Sequence, residues 1–319
     1  MKSPTFLRFL FTFSFLVSGI TFSRAQDLPY VLWTPTGEIK GSLLMPDVKT
    51  AVPVVLLISG SGPTDRDGNQ PNMKNNCLKL IAEELKSKGI ASVRFDKRAI
   101  AESKAAFTTE QNLRFETYIE DAKAWIEKIS KDNRFSKIII AGHSEGSLIG
   151  MVAASGTKNV SGYISIAGAG RPADVILKEQ LQAQPMEQKL AMFKMIDKLK
   201  KGDTIAHVLP QYNALFRESI QPYMISWFKY NPQKEIAKLK IPVLILQGTM
   251  DIQVKLTDYD LLSKAKPNAR KILIPDMNHV LKSISTIDKT AQIATYTNPD
   301  LPLVPKLSDS IVTFIGKIK

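Results

Sequence analysis

The residues best suited to chemistry are 142–146, which read Gly-His-Ser-Glu-Gly. They follow an apolar run at 137–141 and lead into a second apolar stretch at 147–152. When a buried strand ends in Gly-x-Ser-x-Gly and turns directly into a helix, the serine is held exposed in a strained conformation. The two glycines let the backbone turn sharply between the strand and the helix. The pattern predicts that Ser144 is a nucleophile.

A serine nucleophile needs a general base, which is usually a histidine oriented by a carboxylate. The chain has three histidines. His143 adjoins the nucleophile but points elsewhere on a sharp turn, and His207 lies in a helical stretch where a surface or packing role is favoured. His279 follows a predicted strand at 271–275. We therefore assign the base to His279.

The orienting carboxylate is expected at the end of the preceding strand. The apolar run at 243–247 predicts that strand, and Asp251 follows it. Asp276 is a competing acid three residues before His279, although its alternative role is to cap a turn. We assign the orienting carboxylate to Asp251.

The tetrahedral intermediate of acyl transfer needs hydrogen-bond donors for its oxyanion. One expected donor is the backbone N–H of Glu145, directly after the nucleophile. The second is expected in the glycine-containing loop after the predicted strand at 52–59. Ser61 N–H is the candidate there, with Gly62 N–H as a near alternative. The alternative interpretation is that this loop is an ordinary tight turn.

Apolar runs typical of strands alternate with helical stretches along most of the chain, which predicts a mostly parallel, doubly wound α/β sheet. The predicted strands are 30–33, 38–45, 52–59, 91–96, 137–141, 160–167, 243–247 and 271–275. Besides the helix after Ser144, the predicted helices are 74–88, 115–131 and 307–318. Residues 171–238 interrupt this alternation with a long, methionine-rich helical stretch. We interpret 26–170 and 239–319 as one core domain and 171–238 as a helical cap inserted after the sixth strand.

The first 25 residues are typical of an export signal. Lys2 and Arg8 precede a short apolar stretch at 9–20, and small residues occupy positions 23 and 25. We expect cleavage after Ala25 and export to the periplasm or the cell exterior, with an uncleaved anchor as the alternative. The cleavage region has no cysteine that could accept a lipid, so no stable membrane anchor is expected after cleavage.

Composition narrows the classes of partner and cofactor. Removing residues 1–25 removes three basic residues and no acid, so the net charge of +13 becomes +10. The basic residues are scattered among acids, which disfavours nucleic-acid binding. Cys77 is the only cysteine and is expected to be buried, and with three histidines this disfavours a transition-metal site. We expect no metal and no cofactor.

The acids of 65–69 resemble part of a calcium-binding loop, but the later residues that such a loop needs are absent. We expect these acids to pair with Arg94 or Arg98 or to face solvent.

With these motifs, the chain resembles the α/β-hydrolase superfamily, and within it the secreted bacterial esterases of the EstD-like or serine aminopeptidase-like group. The resemblance spans almost all of 30–318 and rests on 60–68, 94–98, 142–146, 247–254, 278–279 and 299–303. It implies an eight-stranded α/β-hydrolase fold, and the order Ser144, Asp251, His279 is the order of its triad. The chain departs from the group at Ser59, where relatives commonly carry histidine, and at Ala99 and Ala101, where glycines are expected.

The leading functional hypothesis is a serine hydrolase that cleaves small-molecule carboxylic esters through an acyl-enzyme. One alternative is an exopeptidase that removes small apolar residues from short peptides. It would need an acidic anchor for the substrate amine, for which Glu145, Asp65 and Glu179 are candidates. A second alternative, a catalytically silent binding protein, is disfavoured because binding does not require a nucleophile, an acid and a base in this order.

Overall fold

A single eight-stranded sheet forms the centre of the structure. The computed structural model describes residues 27–319, so the predicted export signal at 1–25 lies outside the described residues. The strands are β1 (Leu28–Thr34), β2 (Gly37–Leu44), β3 (Val52–Ile58), β4 (Ala91–Phe95), β5 (Phe135–His143), β6 (Gly162–Ile166), β7 (Val243–Gly248) and β8 (Arg270–Ile274). All eight predicted strands are present, and the predicted mostly parallel sheet is confirmed.

The strand order is β1-β2-β4-β3-β5-β6-β7-β8. β2 is antiparallel to β1 and to β4, and all other neighbouring strands are parallel. The chain order reverses between β3 and β5, because β4 lies on one side of β3 and β5 on the other. Ligands of open α/β sheets bind beside the carboxyl ends of the strands at such a point. The loops after β3 and β5 are those that carry the predicted oxyanion residues and nucleophile.

The helices cover both faces of the sheet. They are α1 (Cys77–Ser87), α2 (Phe115–Ser130), α3 (Glu145–Ala154), α4 (Ala173–Gln180), α5 (Met186–Lys201), α6 (Asn213–Phe216), α7 (Gln221–Trp227), α8 (Pro232–Lys238), α9 (Leu256–Ala265), α10 (Lys289–Tyr296) and α11 (Pro305–Gly316). Among residues 27–319, none of the helices combines the length and the apolar character needed to cross a membrane.

The side chains of β3 alternate between the two faces of the sheet, so this strand contributes to two hydrophobic cores. Val54 and Leu56 pack in the core that contains Trp125 of α2, whereas Val55 and Leu57 pack in the core on the opposite face, with α1 and α11. Successive strand residues point to opposite faces. A strand covered on both faces therefore has a continuous apolar sequence.

Residues 171–238 lie between β6 and β7 and are called the inserted segment below. The long helical stretch expected for this segment is divided into separate helices, α4 to α8. Arg217 has extended backbone angles, and Pro222 has no N–H to continue the hydrogen-bond ladder. The segment has a small apolar core of its own, formed by residues such as Ile196 and Phe216. Its last helix, α8, packs against α3 and α9.

Candidate active site

The backbone at Ser144 has the strained geometry that the motif predicts. Its φ of 55° and ψ of −121° are unusual for a residue with a side chain. Neither Gly142 nor Gly146 has a positive φ. A Cβ at Gly142 would lie 2.1 Å from the carbonyl oxygen of Gly146, and one at Gly146 would lie 2.4 Å from that of Ile58. These glycines were expected to permit the sharp turn, but the structure requires them for close packing of α3 against β5 and β3.

The structure brings the three predicted catalytic side chains into hydrogen-bonding contact. His279 Nδ1–H donates to Asp251 Oδ2 at 2.8 Å, and Ser144 Oγ–H donates to His279 Nε2 at 3.1 Å. These roles follow once the neutral imidazole carries its proton on Nδ1 beside the carboxylate. His279 and Asp251 are buried, whereas Ser144 opens onto a cavity. The arrangement lets Ser144 lose its proton to His279 while Asp251 holds the ring.

The two alternative candidates lie elsewhere. Asp276 is exposed, has a φ of 58°, and uses its backbone N–H to donate to Thr249 Oγ1 at 3.0 Å. It is a turn residue, and Asp251 is the acid beside His279. His207 is exposed on the inserted segment.

Hydrogen bonds from β7 and from the loop after it keep Asp251 ionised. The backbone N–H groups of Gln253 and Val254 donate to Oδ1 at 2.8 and 2.9 Å, and Gln247 Nε2 donates to Oδ2 at 3.1 Å. Burial alone would raise the pKa of Asp251. The interaction with His279 and the two backbone hydrogen bonds outweigh it and lower that pKa below its usual value. The carboxylate is therefore charged when His279 accepts a proton.

His143 has a supporting role that the sequence did not reveal. Its Nε2–H donates to the backbone carbonyl of His279 at 2.8 Å. Burial, reinforced by the nearby His279, lowers the pKa of His143 to about 4, so it is neutral at pH 7. It anchors the backbone of the general base.

Two backbone amides next to Ser144 are available for an oxyanion. Within residues 27–319, neither Ser61 N–H nor Glu145 N–H donates to any acceptor. Both residues line the cavity beside Ser144. The loop approaches closely, because a Cβ at Gly60 would lie 3.1 Å from Ser144 Cβ. Gly62, the alternative donor, also lines this cavity.

A buried lysine supports this loop in a role that was not predicted from the sequence. Lys97 is 2% exposed, and its Nζ donates to the carbonyl oxygen of Gly60 at 2.5 Å. The same Nζ lies 3.5 Å from Glu145 Oε1 and 5.1 Å from the centre of the Tyr118 ring. Burial lowers the pKa of Lys97, and Glu145 opposes that change. The only signal in the sequence was a lysine inside the charged run at 94–98.

Other charged residues of this run anchor the loop after β3. Arg94 pairs with Asp67, one of the two partners that the sequence analysis expected for the acids of 65–69. Asp96 accepts from the backbone N–H and the guanidinium of Arg66 at 2.8 and 2.6 Å. The run therefore fixes the loop that carries Ser61.

The alanines that replace expected glycines adopt backbone angles that favour glycine. Ala99 has a φ of 70° and Ala101 a φ of 44°. A left-handed conformation costs a residue with a Cβ roughly 1–2 kcal/mol. This departure in sequence therefore stores strain in the loop after β4.

Two cavities flank Ser144. The larger has a volume of about 420 Å³, and its walls are mainly apolar side chains of the inserted segment, including Ile176, Leu177 and Met224. The smaller has a volume of about 80 Å³ and is lined by His279, polar residues such as Gln253 and Tyr296, and a few apolar side chains. Ser61 and Ser144 line both cavities.

The chain is similar to a family of known proteins and to an esterase. Residues 73–214 match the family described as serine aminopeptidase, S33. Esterase EstD of Thermotoga maritima is 26% identical over 260 residues, which cover 77% of this chain and 58% of that protein. The chain thus spans little more than half the length of that relative.

Solved structures are similar over nearly the whole chain. Pyrococcus furiosus esterase Pf2001 superposes with a TM-score of 0.58 at 15% identity, covering 92% of this chain and 91% of that one. A puromycin-hydrolyzing peptidase of Mycobacterium tuberculosis gives a TM-score of 0.59 at 15% identity, covering 92% and 40%. This chain has the α/β-hydrolase fold. The candidate triad occupies the loops after β5, β7 and β8, in the order that this fold predicts.

Proposed function

We propose that the chain is a serine hydrolase that cleaves carboxylic esters through an acyl-enzyme on Ser144. The observation that carries the proposal is the continuous set of hydrogen bonds from Asp251 through His279 to Ser144. It ends at a cavity lined by Ser61 and Glu145, whose backbone N–H groups donate to no acceptor within residues 27–319. A nucleophile, a base, an orienting acid and oxyanion donors are the groups that acyl transfer requires.

The reaction follows from these positions. Ser144 Oγ attacks the ester carbonyl while its proton moves to His279 Nε2. The carbonyl oxygen becomes an oxyanion that accepts hydrogen bonds from Ser61 N–H and Glu145 N–H. Collapse of the intermediate expels the alkoxide, which takes the proton from His279. Water then attacks the acyl-enzyme by the same steps and releases the acid.

The larger cavity suits the acyl group. Its volume of about 420 Å³ lies within the usual range for small-molecule sites. We propose that the inserted segment serves as the cap that the sequence analysis expected and covers this acyl site. Methionine side chains such as Met224 adapt to ligands of different shape. This favours a site that accepts a range of apolar acyl groups over one that accepts a single acyl group.

The acids considered for an exopeptidase already have partners. Glu145 is buried beside Lys97, and Glu179 pairs with Arg171 at 2.6 Å and Lys255 at 2.5 Å. Asp65 Oδ1 accepts from the backbone N–H groups of Asp67 and Asn69. Each of these carboxylates thus already interacts with at least one group of the described residues, which favours the ester reaction.

The test compares nitrophenyl esters of increasing acyl length with aminoacyl arylamides. We expect ester turnover that Ser144→Ala abolishes and that the control Ser155→Ala, altered at the end of the same helix, retains. Arylamide turnover with little ester turnover would instead identify a peptidase. Absence of both, with no labelling of Ser144 by a fluorophosphonate, would support a binding protein.

We also propose that the chain is exported, on the basis of the signal-like residues 1–25. Fractionation of cells that express the full chain tests this. The shortened protein is expected in the periplasm or the medium, and full-length protein in the cytoplasm would contradict it.

A further inference from the structure

The two cavities beside Ser144 are unequal, and only one of them contains the general base. His279 lines the smaller cavity and is absent from the walls of the larger one. In ester cleavage the leaving oxygen receives its proton from the histidine. The leaving group must therefore lie on the His279 side.

We propose that the smaller cavity is the leaving-group subsite and that it selects a short, hydroxylated alcohol. This inference rests on the proposed ester hydrolysis. The volume of about 80 Å³ equals the share of roughly two or three water molecules in the liquid. A two-carbon alcohol fits within such a space, whereas a long or aromatic alcohol extends out of it. Nitrophenyl esters are still cleaved, because the activated nitrophenoxide leaves without filling the subsite.

The polar walls favour a hydroxyl on that alcohol. Gln253 Nε2 donates to Tyr296 Oη at 2.8 Å, and the Tyr296 O–H itself donates to no acceptor among residues 27–319. Burial raises the pKa of Tyr296, which keeps the phenol protonated as a donor. The Tyr296 hydroxyl and the amide oxygen of Gln253 can bind a second hydroxyl of the alcohol.

The same subsite accepts alcohols in the reverse direction. An alcohol that binds there attacks the acyl-enzyme, forms a new C–O bond and breaks the bond between the acyl carbon and Ser144 Oγ. Its proton moves to His279 and then to Ser144 Oγ. Ethylene glycol is therefore expected to compete with water for the acyl-enzyme.

The test uses 2-hydroxyethyl and propyl esters of one acid, because these alcohols have the same number of heavy atoms. One net hydrogen bond predicts a preference of about threefold to tenfold in kcat/KM for the hydroxyethyl ester. Tyr296→Phe should abolish this preference and leave the dependence on acyl length unchanged. Tyr212→Phe, a buried tyrosine outside both cavities, should preserve both.

Equal kcat/KM values for the two esters would overturn the proposed subsite. A Tyr296→Phe variant that changes acyl-length selectivity instead would also overturn it. Efficient cleavage of octyl esters of a short acid would also overturn it, by placing the alcohol in the larger cavity. Failure of every ester, with no acyl-enzyme on Ser144, would refute the proposed function itself. The two failures are thus distinguishable.

A separate observation concerns the buried ammonium of Lys97. Its contact with the Gly60 carbonyl fixes one peptide plane, and the N–H of Ser61 belongs to that plane. Since the peptide is planar and trans, the N–H points opposite to the carbonyl. The same ammonium pairs with the side chain of Glu145, the residue that supplies the other amide.

We infer that Lys97 is a positioning residue for the oxyanion donors and holds both of them through one charge. Lys97→Met removes the charge and keeps most of the side-chain length. If one oxyanion donor loses its alignment, we expect kcat to fall by up to about 100-fold, with little change in KM. Glu145→Gln, which weakens the pair but leaves the lysine on Gly60, should have a smaller effect.

Turnover is measured per Ser144 labelled by a fluorophosphonate, so that loss of folded protein is not counted. Affinity for a trifluoromethyl ketone, which forms an oxyanion adduct, should fall in parallel with kcat, and affinity for the product acid should not. Unchanged turnover per labelled site would overturn the assignment. So would equal losses of affinity for the ketone and the acid.

Discussion

The loops at the carboxyl ends of β3, β5, β7 and β8, called the strand-end loops here, and the inserted segment are held by different means. The loops after β3, β5 and β7 face the inserted segment across the larger cavity. The strand-end loops are held by buried charges and hydrogen bonds, such as Lys97 on Gly60 and Gln253 on Asp251. The inserted segment faces the cavity mainly with apolar side chains, among them Leu177. It also carries exposed apolar residues on its outer side, such as Leu190.

This difference assigns the catalytic steps to the strand-end loops and the selection of the acyl group to the inserted segment. Hydrogen bonds and buried ion pairs are directional and hold atoms in one geometry, as acyl transfer requires. Apolar contacts are not directional, so the inserted segment can change its lining without moving the triad. Substitutions in the loops should therefore change rate, and those in the segment should change which acyl group is accepted.

The largest effect is expected from Asp251→Asn. An asparagine at this position favours the wrong imidazole tautomer, and we expect kcat to fall by about 10⁴-fold. Steady-state kinetics with one nitrophenyl ester measures it, and Asp276→Asn serves as the matched control. If Asp276→Asn proved the more damaging change, the assignment of the acid would be wrong.

A smaller and selective effect is expected from filling the larger cavity. Leu177→Trp should lower kcat/KM for octanoyl esters by about 10- to 100-fold and leave acetyl esters nearly unchanged. Leu190→Trp, on the exposed side of the same segment, is the control and should change neither. Equal losses of kcat/KM for octanoyl and acetyl esters would show that the inserted segment does not select the acyl group.

The stability of the strand-end loops should depend on pH through His143. Its pKa is about 4 in the folded protein and 6.5 unfolded, so the unfolded chain binds the proton first as pH falls. This contribution to stability is present above pH 6.5 and is lost as pH falls towards 4. At pH 4.5 the loss is about 2.5 kcal/mol.

Denaturant unfolding at pH 7 and pH 4.5 tests this for the wild type and His143→Gln. The variant should lose less stability than the wild type over this interval. His207→Gln, at an exposed histidine of the inserted segment, should behave like the wild type. A His143→Gln variant with the same acid sensitivity as the wild type would show that His143 does not carry the effect.

The smallest effect concerns the strained loop after β4. Ala99→Gly should raise the free energy of unfolding by roughly 1 kcal/mol, because glycine adopts a positive φ without steric cost. Ala294→Gly, within the regular helix α10, should lower it by about 1 kcal/mol. Chemical denaturation checks both, and a destabilised Ala99→Gly variant would contradict the strain.

The sequence predicted the sheet and the triad because both depend on local patterns. Apolar runs mark the strands, and a fixed chain order links Ser144, Asp251 and His279. Lys97 was not predicted, because its role exists only where the loop after β4 meets the loop after β3. The division of the inserted segment into separate helices was not predicted, since Arg217 and Pro222 interrupt a stretch that is otherwise typical of helix.

The central claim is that Ser144 carries the acyl group, and pre-steady-state kinetics tests it most directly. With a nitrophenyl ester whose deacylation is slow, the wild type should release a burst of about one nitrophenol per active site. Mass spectrometry of the quenched protein should then find the acyl group on the peptide that contains Ser144. A burst that persists in Ser144→Ala, or an acyl group on another residue, would contradict the account.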